Sequence, residues 1–334
     1  MLKLQTPVND SICKVRISYS DKIMMLGSCF SDNIGQQLLD YGFDVCVNPF
    51  GTLYNPVSIL SSIERLCGLS PDTGSQESDT YGRFTEADCV QIGAGDERWC
   101  SFSHHTSFAR ASREDFLTDA NASLDKAREF FASCDKIIIT LGTSWCFRHR
   151  DSGKIVSNCL KHPAAEFVRE RLSAAEVTDI LRRIAALCCP SGQHCNQNHS
   201  ESAASGSNET ATDRAIKPKQ LIFTVSPIRH LKDGAHGNQI SKSALLLGID
   251  DFLGTCQSDQ VQPYQCTADY FPAYEIVMDE LRDYRFYAED MCHPSSQTVG
   301  YIRDRFLGWA LTAAEHHILE ENIRAFKHRS HRQK

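Results

Sequence analysis

Apolar positions along the chain fall into two patterns. Four short stretches are apolar almost continuously: Lys22–Leu26, Phe43–Val47, Lys136–Leu141 and Gln220–Val225. Lys136-Ile137-Ile138-Ile139-Thr140-Leu141, rich in β-branched residues and stopped at Gly142, has the pattern of a parallel strand covered on both faces. Elsewhere apolar residues recur at helical spacing. Ile34, Leu38 and Leu39 form one stripe, and Phe116, Leu124, Ala127, Phe130 and Phe131 form a second. A third, Val177 to Leu187, opens with Ser173 and Glu176 at the spacing of a capping box. Strands alternating with helices predict an α/β domain with a doubly wound parallel sheet. Two polar stretches interrupt it, 70–88 and 190–219. The second, dense in Ser, Asn, Gln, Gly and Thr, is expected to be a flexible insertion in one domain spanning 1–334.

Sheets of this kind bind ligands beyond the carboxyl ends of their strands. The segments expected there are Gly27-Ser28-Cys29, Asn48-Pro49-Phe50-Gly51, Gly142-Thr143-Ser144 and Ser226-Pro227-Ile228-Arg229-His230. A serine at a strand-to-helix turn is where a nucleophile is held out from the sheet, with backbone N–H groups and a helix N-terminus facing the same space. Near the other end of the chain, Asp290 and His293 stand three residues apart, close enough for the carboxylate to reach a ring nitrogen. Ser28, His293 and Asp290 together have the composition of a hydrolase triad. Cys29 competes with Ser28, because a thiol beside a histidine is the better nucleophile. Arg229, at a strand end, is suited to a carboxylate or phosphate, or to an ion pair that anchors its loop.

Composition narrows the function classes. The chain has 334 residues, 41% apolar and 23% charged, with a net charge of −7, which gives no reason to expect nucleic-acid binding. No apolar run approaches membrane-spanning length, and Met1 to Asp21 lacks the apolar core of a signal peptide. The 15 cysteines sit mostly inside apolar segments, as reduced thiols do, so a cytoplasmic location is expected. Cys188, Cys189, His194, Cys195 and His199 are soft ligands, but their spacing matches no strong zinc pattern and no metal site is expected there.

The motifs carry a family resemblance. Gly27-Ser28-Cys29-Phe30-Ser31 is similar to the signature pentapeptide of the GSCFA family in four positions. The resemblance continues through Ile34-Gly35, Asn48-Pro49-Phe50-Gly51, Tyr54-Asn55-Pro56, Thr140 to Trp145, Ser226 to His230, and Arg282 to Tyr287. It implies a flavodoxin-like three-layer sandwich of the SGNH (GDSL-like) hydrolase type, with esterase, acyl esterase or acyltransferase activity and no cofactor. It also selects Ser28 over Cys29 as nucleophile, although the first block reads Gly-Ser-Cys where the superfamily has Gly-Asp-Ser. His293 and Asp290 take the roles of base and orienter. For the oxyanion hole the resemblance implies Ser28, Gly51 and Gly142. The superfamily's usual Asn after that last Gly is missing here. Asn48, Asn158 or Thr143 is left as the remaining donor. His104 or His105, with Arg229 and His230, is expected to line the pocket of a small-molecule or glycan-type ester. A scaffold that binds its ligand without turnover is the alternative.

Overall fold

Five runs with side chains alternating between two covered faces make the central sheet. The computed structural model describes residues 6–8, 12–69, 82–190, 218–256 and 266–332. Its central strands are β1 (Lys22–Gly27), β2 (Asp44–Val47), β3 (Lys136–Leu141), β4 (Gln220–Val225) and β5 (Ala268–Tyr270). All are parallel, in the order β2-β1-β3-β4-β5. That is the flavodoxin-like order, in which the winding reverses between β1 and β3 and opens a crevice at their carboxyl ends.

Alternation along the strands builds two apolar layers. Met24, Leu26, Ile137, Ile139 and Phe223 face α2 (Pro56–Leu66), α3 (Arg113–Ser133), α4 (Ala174–Cys188) and α5 (Gly234–Cys256). Ile23, Met25, Ile138 and Ile222 face α1 (Cys29–Asp40), α6 (Ser296–Ala310) and α7 (Ala313–Arg332). Burial on both sides is why these strands read as unbroken apolar runs. The capping box expected at Ser173 is formed: its hydroxyl accepts the Glu176 N–H while the Glu176 carboxylate accepts the Ser173 N–H.

The sequence pattern missed β5, which is only three residues long. It also missed α5, whose buried face carries Asn238, Ser241 and Lys242 among its apolar residues. Two small antiparallel sheets stand outside the core: residues 90–91 with 99–100, and 145–149 between 155–156 and 167–171. The expected insertion at 190–219 lies, apart from its ends, outside the described residues. Among the described residues no helix is long and apolar enough to cross a membrane.

Candidate active site

The β1–α1 turn decides which side chain reaches the crevice. Gly27 has a φ of +148°, and a Cβ there would stand 2.3 Å from the Thr140 carbonyl oxygen of the neighbouring strand. Only glycine allows β1 and β3 to approach so closely at the turn. Ser28 then occupies the N-cap of α1, in extended conformation, and its Oγ accepts the Phe30 N–H at 3.3 Å. Serine is strongly preferred at this position, and the role turns the hydroxyl inward; Ser28 is 1% exposed. Cys29, the first helical residue, is half-buried.

The sulfur is what meets the histidine. Cys29 Sγ lies 3.7 Å from His293 Nε2, while His293 Nδ1 lies 2.5 Å from Asp290 Oδ2. The expectation that Ser28 Oγ meets His293 is therefore corrected: its hydroxyl bonds to the helix it caps, and its neighbour takes the place beside the imidazole.

Hydrogen bonds fix the loop carrying the imidazole. Asp290 Oδ1 accepts the N–H groups of Cys292 and His293, both at 2.9 Å. These N–H bonds, with the His293 ring, hold the Asp290 carboxyl down to about 2. Ala288 N–H donates to the His293 carbonyl, and Ser295 N–H to that of Phe286. From β4, Arg229 donates its backbone N–H to the Cys292 carbonyl and its Nη1 to the Met291 carbonyl. The His293 and Asp290 side chains are both half-exposed.

Electrostatics around Cys29 favour a neutral resting thiol. Burial, and then the Asp32 carboxylate, push its pKa up; the N–H groups of Cys29 and Phe30 and the cation of Lys242 pull it down less strongly. Lys242, from α5, is 1% exposed and donates to the carbonyls of Gly142 and Ser226, both at 2.6 Å, tying the ends of β3 and β4 together. Burial lowers it to about 7. His230 is lowered to about 4 by burial and then by Lys242, so its imidazole is neutral; it stands edge-on to Tyr54. Sequence reasoning missed Lys242 and Asp32, because nothing in a helical Lys or Asp signals that its helix end is buried against a site.

Most of the expected oxyanion donors are engaged elsewhere. Gly51 N–H closes a turn onto the Asn48 carbonyl, and Gly142 and Thr143 N–H both donate to the Tyr54 carbonyl. The Asn48 amide accepts the Gly27 N–H through Oδ1 and donates Nδ2 to Asp32 at 2.5 Å, making it a brace between strand end and helix. Asn158 turns its side chain to the Leu160 N–H. The Thr143 hydroxyl pairs with Ser241. The N-terminus of α1, beside Cys29, is the remaining source of N–H groups at the sulfur.

The two histidines expected in the pocket separate. His104 is 1% exposed, bonded to Ser101 through Nδ1 and surrounded by Phe50, Phe84, Phe108 and Phe116, so it is a core residue and not a pocket one. His105 backs Gly51, where a Cβ would stand 2.4 Å from its own. Among the described residues no three His, Cys, Asp or Glu side chains are poised for a metal. Cys188 and Cys189 are buried, and His194, Cys195 and His199 lie outside the described residues.

Fold and site together define an α/β protein with a thiol, an imidazole and a carboxylate in series at the crevice of a parallel sheet. The chain matches the GSCFA family over residues 22–197 and 188–306, and it belongs to that family. No curated protein and no solved structure matches it.

Proposed function

We propose that the protein is an ester-bond hydrolase or acyltransferase of the SGNH kind, working on a small acylated substrate with Cys29 as its nucleophile. The observation that carries this reading is the series Asp290–His293–Cys29, with the sulfur 3.7 Å from Nε2 and the carboxylate 2.5 Å from Nδ1. His293 Nε2 takes the thiol proton as Sγ attacks the ester carbonyl carbon. The oxyanion forms at the α1 N-terminus, where the Cys29 and Phe30 N–H groups lie beside the sulfur. Collapse returns the proton from His293 to the leaving alcohol and leaves a thioester on Cys29. Water, or a second alcohol, then attacks the thioester with His293 again as base. Asp290 keeps the Nδ1 proton in place and stabilises the imidazolium.

Hydrolysis of p-nitrophenyl acetate by the wild type, Cys29→Ala and Ser28→Ala tests this. Loss of turnover in Cys29→Ala with retention in Ser28→Ala supports it, and the reverse pattern returns the nucleophile to Ser28. A second reading, ligand binding without turnover, draws on one observation: the N–H groups of Gly51, Gly142 and Thr143 are all spent on internal carbonyls. A thioester adduct trapped on Cys29 by mass spectrometry separates the two.

A further inference from the structure

Arg229 is held in an unusual way for a strand-end arginine. Its guanidinium stands 5.8 Å from the Tyr284 ring centre and 5.6 Å from that of Tyr287, a distance at which ring faces attract a cation. One nitrogen, Nη1, donates to the Met291 carbonyl. No carboxylate among the described residues pairs with it. Arg229 lines a cavity of about 190 Å³.

That cavity adjoins the candidate site. Its wall includes Asn238, whose Oδ1 accepts the His230 N–H, and Arg229 itself, whose backbone holds Cys292, the residue before His293. Three charged side chains line it: Arg229, Arg282 and Asp283. The Asp283 carboxylate is turned to Arg285, accepting both its backbone N–H and Nη2 at 2.9 Å. Arg282 lies 3.6 Å from Asp279, a long and exposed contact. The balance is therefore cationic. The volume, about 190 Å³, is below the ~300–1,000 Å³ of pockets for drug-sized ligands and suits a small group.

We propose that this cavity is the subsite for an anionic group of the substrate, a carboxylate or phosphate, gripped by the free edge of the Arg229 guanidinium. A planar fork fits two oxygens of such a group, and the Tyr284 and Tyr287 rings lie within the range at which they attract its cation. This rests on the hydrolase reading for its position beside His293. It adds that the ester is a short one bearing a negative charge, on either the acyl or the alcohol side.

The test compares three phenyl esters: the half-ester of glutarate, 4-carboxyphenyl valerate and uncharged phenyl valerate. The expected result is a kcat/KM at least tenfold higher for one of the charged esters than for the neutral one. In Arg229→Met that ratio falls to near one, and in Arg229→Lys it lies between. The ratio is read within each variant, so any loosening of the His293 loop cancels. Equal rates on all three esters by an active wild type overturn the anion subsite and leave the hydrolase reading standing. No turnover on any of them counts against the hydrolase reading. The subsite is then decided by calorimetric titration with glutarate and with inorganic phosphate: binding that is lost in Arg229→Met and weakened by salt upholds it, and no binding of either overturns it.

Discussion

Cys29 Sγ and His293 Nε2 stand 3.7 Å apart although 264 residues separate them along the chain. The β1–α1 turn delivers the first and the loop before α6 the second. Their meeting gives a thiol a base. The adjacent hydroxyl, that of Ser28, accepts the Phe30 N–H of the helix it caps.

The first prediction follows from that division of labour. Cys29→Ala is expected to lower kcat/KM by at least a thousandfold, while Ser28→Ala keeps the activity but melts earlier. Losing an N-cap side chain costs ~1 kcal/mol. Activity and thermal unfolding measured on both variants check this, and a Ser28→Ala enzyme that is inactive while fully folded contradicts it.

A second concerns pH. Burial raises the Cys29 pKa, so the thiolate fraction is still growing above pH ~8.5, where an ordinary cysteine is half ionised. The rate of Cys29 alkylation by iodoacetamide, followed by peptide mass spectrometry, is expected to keep climbing through that point. A plateau below pH 7 shows a preformed ion pair instead. Asp290, held near 2, stays ionised throughout and contributes nothing to the acid limb above pH 4.

The sequence carried much of this architecture, and the exceptions have physical reasons. The four longer strands were readable because both faces are covered over most of their length, so nearly all their inner positions are apolar. Ala268–Tyr270 is too short for a period, and α5 hides its buried side because Asn238, Ser241 and Lys242 sit on it. Asp290 and His293 were readable from their spacing only when taken with the Gly-Ser turn at a strand end. Ser28 was not readable in the same way, since a serine between strand and helix is equally an N-cap, and only the direction of the side chain distinguishes the two. The oxyanion donors failed for a related reason: the internal bonds of Gly51, Gly142 and Thr143 depend on turn geometry, which residue types do not specify.

Lys242 gives a third prediction. Its pKa is lowered on folding, to about 7, so the unfolded chain binds the extra proton between that pH and the ordinary lysine value. Stability contributed by this group therefore rises with pH over that window, at most by ~1.4 kcal/mol per pH unit. Thermal melts from pH 6 to 10 are expected to show a steeper rise in the wild type than in Lys242→Met. Parallel profiles contradict it. The variant is also expected to be less stable at pH 9, because the carbonyls of Gly142 and Ser226 lose their shared donor.

His104 separates a structural from a binding role. It lies among four phenylalanines, and burial lowers its pKa to about 3. His104→Ala is expected to cost ~3 kcal/mol through the cavity it leaves, with kcat/KM of the remaining folded protein within about twofold of the wild type. Because the folded pKa lies below the unfolded one, near 6.5, the neutral form stabilises the fold above that value and the contribution is lost as pH falls from ~6.5 towards 3. A large KM change without a stability loss returns His104 to the substrate pocket.

The last prediction tests the turn itself. Gly27 brings β1 against β3, and its φ of +148° is one that a side chain rarely adopts. In Gly27→Ala the new methyl meets the Thr140 carbonyl oxygen, a backbone atom that cannot swing aside, and Ser31 Oγ at 2.9 Å. Either β1 withdraws from β3 or the turn reorients, and both outcomes move Cys29, which follows two residues later. The variant is expected to lose at least 2–3 kcal/mol in denaturant melts. In whatever folded protein remains, iodoacetamide labelling of Cys29 is expected to lose its dependence on His293, so that adding His293→Ala changes the labelling rate little. A Gly27→Ala protein of wild-type stability and full activity shows that the turn has room this geometry denies it.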